Sequence, residues 1–108
     1  MKNANEMRTI ADNYNAQFDI TLADDIIDKK VEEAIIKSAK KGEYEATIIA
    51  ETLTIAILCG MQNGKEIVEK VKYNGVLERA KKLAEANGYK AEFFGNFKVV
   101  IKWNIEEK

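Results

Sequence analysis

The chain has 108 residues, 46% of them hydrophobic and 32% charged, which fits one globular domain with a thin core and excludes a disordered chain. Its 17 basic and 18 acidic residues leave a net charge of −1 with the signs mixed along the length, so no segment offers the concentrated positive face that general nucleic-acid binding needs. The chain opens without a charged-then-apolar signal segment and has no apolar run long enough to span a bilayer, so a soluble, cytoplasmic protein without membrane contact is expected.

Residues 3–18 read as an amphipathic helix, because Ala4, Met7, Ala11, Tyr14 and Phe18 recur at spacings of three and four while Asp12, Asn13 and Gln17 lie away from that stripe. A stripe this narrow seeks either a groove on its own domain or the same helix from another copy. Thr21 is then expected to cap a second helix over 22–41, with Asp24 standing in for the Glu of a capping box and Gly42 as the stop. Its apolar positions are Leu22, Ile26, Ile27, Val31, Ala34, Ile35 and Ala39. No Pro or Gly separates the two helices, so one continuous rod is the alternative.

Residues 43–50 alternate, with Tyr44, Ala46, Ile48 and Ala50 on one side, and read as a strand. Residues 51–61 fit a continuing strand or an apolar helix of three turns, and periodicity does not separate the two. After a loop at Gly60–Gly64, residues 65–87 read as a helix broken or kinked at Asn74-Gly75 and ended by a left-handed cap at Asn87-Gly88. Tyr89–Ile105 reads as a hairpin turning on Gly95-Asn96 as a two-residue loop. Tyr89, Ala91 and Phe93, and then Phe97, Val99, Ile101, Trp103 and Ile105, fall on its inward face, with Val100 out of pattern on the other.

The expected architecture is a single α+β domain over 1–108: two N-terminal helices in 1–41, then in 43–108 a strand, a helical segment and a C-terminal β-hairpin. Together these form a small sheet covered by helices. If the last strand lies at the sheet edge its unpaired backbone invites a neighbour, and homo-oligomerisation is expected.

There is no histidine and one cysteine, Cys59, which reads as a buried small hydrophobe beside Ile57 and Leu58. This removes Ser–His and Cys–His pairs, imidazole zinc sites and a single-chain thiolate zinc site, so no enzyme, metal or cofactor is expected. Asp24-Asp25-Ile26-Ile27-Asp28 matches a DDxxD diphosphate-metal pattern only superficially, since acids are ordinary in a first helical turn. Gly60–Glu66 is one residue short of a phosphate loop and has Glu in place of the magnesium-binding hydroxyl. The candidate ligand-binding residues are Arg8 and Arg79, the only two arginines and the only groups suited to bidentate contact with an anion, Phe94, the aromatic expected outside the core, and Lys102 and Asn104 on the outer face of the last strand.

Lys2-Asn3-Ala4-Asn5-Glu6-Met7-Arg8, Ala39–Tyr44, Gly88-Tyr89-Lys90 and Ile101-Lys102-Trp103 resemble the opening, the helix-to-strand step, the hairpin entry and the closing strand of short uncharacterised phage and prophage proteins of Gram-positive bacteria. The resemblance touches both ends and not the middle, and its motifs carry no catalytic residues. It implies a small accessory protein of a mobile element that acts by binding, countering host defence by sequestering a nucleotide-derived immune signal. A direct protein-binding inhibitor of a host protein, or a structural oligomeric module, is the alternative.

Overall fold

The computed structural model describes residues 1–16 and 18–103; the expectations for Gln17, Asn104 and Ile105 fall outside them. In order the elements are α1 (Ala4–Ala16), a 3₁₀ turn (Ile20–Ala23), α2 (Asp24–Ala39), β1 (Glu45–Ile49), α3 (Ala50–Gly60), α4 (Gly64–Ala86), β2 (Lys90–Phe94) and β3 (Lys98–Lys102). The fold is α+β, as expected.

The three strands form one antiparallel sheet in the order β1-β3-β2. The last strand is thus not an edge strand: β3 is central, and β1 and β2 are the edges. Its pairing explains why Val100 broke the alternation. Val100 lies between Thr47 and Glu92 on the outer face and is only 7% exposed, because a central strand has neighbours on both sides. Two bonds extend the β1–β3 ladder, Ala50 N–H to the Phe97 carbonyl at 2.7 Å and Trp103 N–H to the Tyr44 carbonyl at 3.0 Å. The hairpin loop has three residues, 95–97, not two, since Phe94 pairs with Lys98 and Gly95 takes φ 65°.

Helices cover one sheet face. α2 packs on β1, α4 packs on β2 and β3, and α3 fills the space between α2 and α4. The core gathers Ile27, Val31 and Ile35 of α2, Leu53 and Ile57 of α3, Val76, Leu77 and Ala80 of α4, and Ile48, Val99 and Ile101 of the sheet. The ambiguous stretch 51–61 is helical. Ala50, Leu53, Thr54 and Ile57 are its buried residues, at helical spacing, and the polar Thr54 interrupts what would otherwise be a plain apolar stripe. Cys59 is exposed, contrary to the sequence reading, because that face of α3 turns away from the core.

Both expected glycine caps are present. Glu43 N–H reaches the Ser38 carbonyl at 3.0 Å beyond Gly42, and Tyr89 N–H reaches the Ala84 carbonyl at 3.1 Å beyond Gly88. The expected cap at Thr21 is replaced by Asp19. Its Oδ1 accepts from Thr21 N–H at 2.9 Å, and its extended backbone (φ −67°, ψ 132°) separates α1 from α2, so no continuous rod forms. The break in α4 falls at Lys72 (φ 62°, ψ −176°), two residues before the expected Asn74-Gly75. Gly75 still takes part, because a Cβ there would lie 2.5 Å from Val71 Cβ.

α1 stands apart. A capping box starts it: Asn3 Oδ1 accepts from Glu6 N–H at 2.9 Å, and Glu6 Oε1 accepts from Asn3 N–H at 3.0 Å. None of its residues is buried, and Met7, Ile10 and Tyr14 are each about half exposed, so the groove on its own domain that the stripe suggested is not used. The chain measures 63 × 33 × 23 Å with a radius of gyration of 16.6 Å. A compact domain of this length has a radius of gyration of about 13 Å, so the excess belongs to the projecting helix.

Candidate functional site

The register places Glu45, Thr47 and Ile49 of β1, Lys98, Val100 and Lys102 of β3, and Lys90, Glu92 and Phe94 of β2 on the sheet face away from the helices. Alternation in each strand dictates this: the partners of the core residues Ala46, Ile48, Val99, Ile101 and Ala91 must point the other way. The result is an open floor with Val100 at its centre. A shallow depression of about 380 Å³ is lined there by Glu45, Thr47, Phe94, Lys98, Val100 and Lys102.

Phe94 is 49% exposed, and the Lys98 ammonium lies 6.0 Å from its ring centre and 5.6 Å from that of Phe97. Lys102 lies 3.9 Å from a Glu92 carboxylate oxygen, a loose contact open to solvent that leaves its other donors available. Two of the candidate residues, Phe94 and Lys102, thus share one surface. Lys98 completes it, and the sequence carried the signal, since Lys98 and Lys102 occupy alternate outward positions of one strand.

The arginines are not brought to this face. Arg79 makes a two-pronged contact with Asp24, Nε to Oδ1 at 2.7 Å and Nη2 to Oδ2 at 2.6 Å, on the helical side of the domain. The Asp24 carboxylate raises the already high pKa of the guanidinium. This pair ties α2 to α4 and engages the acid that began the DDxxD pattern. Arg8 is exposed on α1. Among the described residues, no three His, Cys, Asp or Glu side chains are grouped to hold a metal ion. Asp19 is held below the ordinary carboxylate range by the Thr21 backbone N–H and then by the Thr21 hydroxyl, which is a capping effect. The Gly60–Glu66 segment is a helix junction. Gly64 opens α4 against α3, where a Cβ would lie 2.4 Å from the Ile57 carbonyl oxygen.

The expected inward aromatics divide. Tyr89 and Trp103 pack on the core with rings 6.2 Å apart and nearly perpendicular. Phe93 and Phe97 are 47% and 52% exposed. Phe93 faces inward on an edge strand with the Lys81 ammonium 5.7 Å from its ring, and Phe97 sits in the turn beyond the strands. Among the described residues no helix is long and apolar enough to cross a membrane. Comparison with protein-family models, with curated proteins and with solved structures gives no match in any of the three.

Proposed function

We propose that this chain is a non-catalytic accessory protein of phage or prophage type that acts by binding a flat, anionic small molecule, a nucleotide-derived defence signal, on the open sheet face. The observation that carries the reading is the depression lined by the exposed Phe94 ring, Lys98, Lys102, Thr47, Val100 and one acid, Glu45. A base stacked on Phe94 contributes about 1–3 kcal/mol, and lysine ammonium groups are point charges suited to phosphate oxygens. The volume lies within the range of small-molecule sites, which begins at roughly 300 Å³. The mobile-element assignment rests on the likeness of the end motifs. The absence of histidine favours capture over turnover.

The test is native mass spectrometry of protein purified from cells whose defence signalling has been triggered. The reading expects a fixed added mass of nucleotide size on the wild type, retained in Arg79→Lys and lost in Phe94→Ala and in Lys98→Ala. A bare wild-type protein, or an added mass that both sheet-face variants keep, overturns it.

A further inference from the structure

Acids recur along one stripe of α2 at Asp24, Asp28 and Glu32, and α4 sets Arg79, Leu83 and Asn87 against them at the same helical spacing. At the first level the stripe is matched within the chain, since the Arg79 guanidinium grips the Asp24 carboxylate at 2.7 and 2.6 Å. At the next two levels Asp28 and Glu32 border a cavity of about 200 Å³, lined on the α4 side by Leu83, Ala84 and Asn87, with Tyr89 beyond the helix end. No basic side chain belongs to that lining, and among the described residues neither Asp28 nor Glu32 has an ion-pair or hydrogen-bond partner. We propose that this cavity binds an organic cation, a primary ammonium group carried on a short apolar stem.

The lining selects this class. An ammonium has three donors and no acceptor, and the cavity offers it two carboxylates and the Asn87 amide oxygen. The Asn87 amide nitrogen donates to the Leu83 carbonyl at 2.8 Å, which leaves the oxygen of the same amide as an acceptor. Val31, Ile35 and Ala84 are buried apolar members of the lining, a surface for methylene groups, and the Tyr89 ring adds a face attractive to a cation. A hard divalent metal is a poorer match, because it asks for about six or more oxygen ligands and no three acids are grouped among the described residues. An anion is repelled by both carboxylates. One turn away, Asp24 and Arg79 already make the kind of pairing that an external cation would repeat. The proposal is independent of the ligand reading, which concerns the sheet face.

The test is a titration with n-butylammonium chloride at neutral pH and constant ionic strength, followed by amide NMR. The signals of Glu32, Asn87 and Tyr89 should move along saturable curves with a Kd of order 1 mM, and n-butanol, the neutral isostere, should leave them nearly unmoved. Asp28→Asn/Glu32→Gln should weaken binding about tenfold or more; both residues are exposed, so the same spectra should show the fold intact. Asp25→Asn/Glu33→Gln makes an equal change of charge at exposed positions of α2 outside the lining, and should bind as the wild type does. A tighter response to the diamine cadaverine than to Nα-acetyl-lysine methylamide assigns the ammonium to a free amine, and the reverse order assigns it to a lysine side chain of a peptide. The proposal is overturned by a response that does not saturate in the millimolar range, by an equal response to n-butanol, or by binding that survives Asp28→Asn/Glu32→Gln. An equal loss in both double variants also overturns it, since that reports the net charge and not the cavity.

Discussion

Lys72 adopts a backbone conformation, φ 62° and ψ −176°, that is almost confined to glycine. Holding a side chain there costs of order 1–3 kcal/mol, and the break it makes in α4 turns the rest of the helix onto the sheet. Lys72→Gly should therefore stabilise the protein. Removing the strain returns about 2 kcal/mol, and the added freedom of the unfolded chain takes back about 0.5–1 kcal/mol, a net gain of roughly 1 kcal/mol. With an unfolding entropy near 2.1 cal/mol/K per residue, that gain raises Tm by about 4 °C. Lys72→Ala keeps the Cβ and the strain, and should stay within about 0.5 kcal/mol of wild type. Differential scanning calorimetry with parallel urea titration reads both. The refuting result is a change of sign. If Lys72→Gly lowers stability by about 1 kcal/mol, the amount glycine costs inside a regular exposed helix, then α4 is continuous and the reasoning fails. Gly75→Ala supplies a second reading. Val71 and residue 75 are four apart, a spacing that separates Cβ atoms by about 5–6 Å in a regular helix, whereas a Cβ at Gly75 would lie 2.5 Å from Val71 Cβ here. Alanine, normally the better helix former, should destabilise this site.

Three further outcomes are expected. Among the described residues Thr54 Oγ1 is buried and finds no hydrogen-bond partner, so Thr54→Val, which keeps the shape and drops the hydroxyl, should raise the urea midpoint by an amount worth about 1 kcal/mol; a lower midpoint would mean that the hydroxyl is satisfied. A double-mutant cycle between Asp24 and Arg79, whose side chains are 25% and 27% exposed, should give a coupling of about 1 kcal/mol, mostly lost in Arg79→Lys because lysine cannot form the two-pronged contact. The Asp19 carboxyl has a lowered folded pKa, so its contribution is complete above the unfolded carboxyl value near pH 4 and fades as pH falls through the lower folded value. Asp19→Asn should thus flatten the acid limb of the stability profile while leaving neutral stability close to wild type, and an unchanged acid limb would remove Asp19 from the account.

The sequence was most legible where local chemistry and packing agree. The glycine caps after α2 and α4, the inward run Val99 and Ile101, and the alternation of Ala46 and Ile48 all follow from period and turn residues. It was least legible where tertiary placement decides. Glu51–Gly60 is an apolar run whose helical spacing is hidden by the burial of a threonine, and Cys59 lies among apolar neighbours yet on the outward face. The central place of β3 shows in the sequence only as the misfit of Val100. At the candidate site, Phe94 and Lys102 could be placed together from strand alternation alone. The engagement of Arg79 depends on Asp24, 55 residues away, and no local pattern announces it.

The position of β3 also bears on how the protein comes to be folded. β1 and β2 are not paired with each other; each pairs with β3, which follows both in the chain. As the polypeptide emerges from the ribosome, α2, α3 and α4 can begin to pack, but β1 has no partner until residues 98–102 are free. Until then both edges lie open to any other extended chain. Translation halted before Lys98 would therefore yield a helical fragment with two orphan strands rather than a smaller version of the domain. The three-stranded sheet is thus complete only once residues 98–102 lie between β1 and β2.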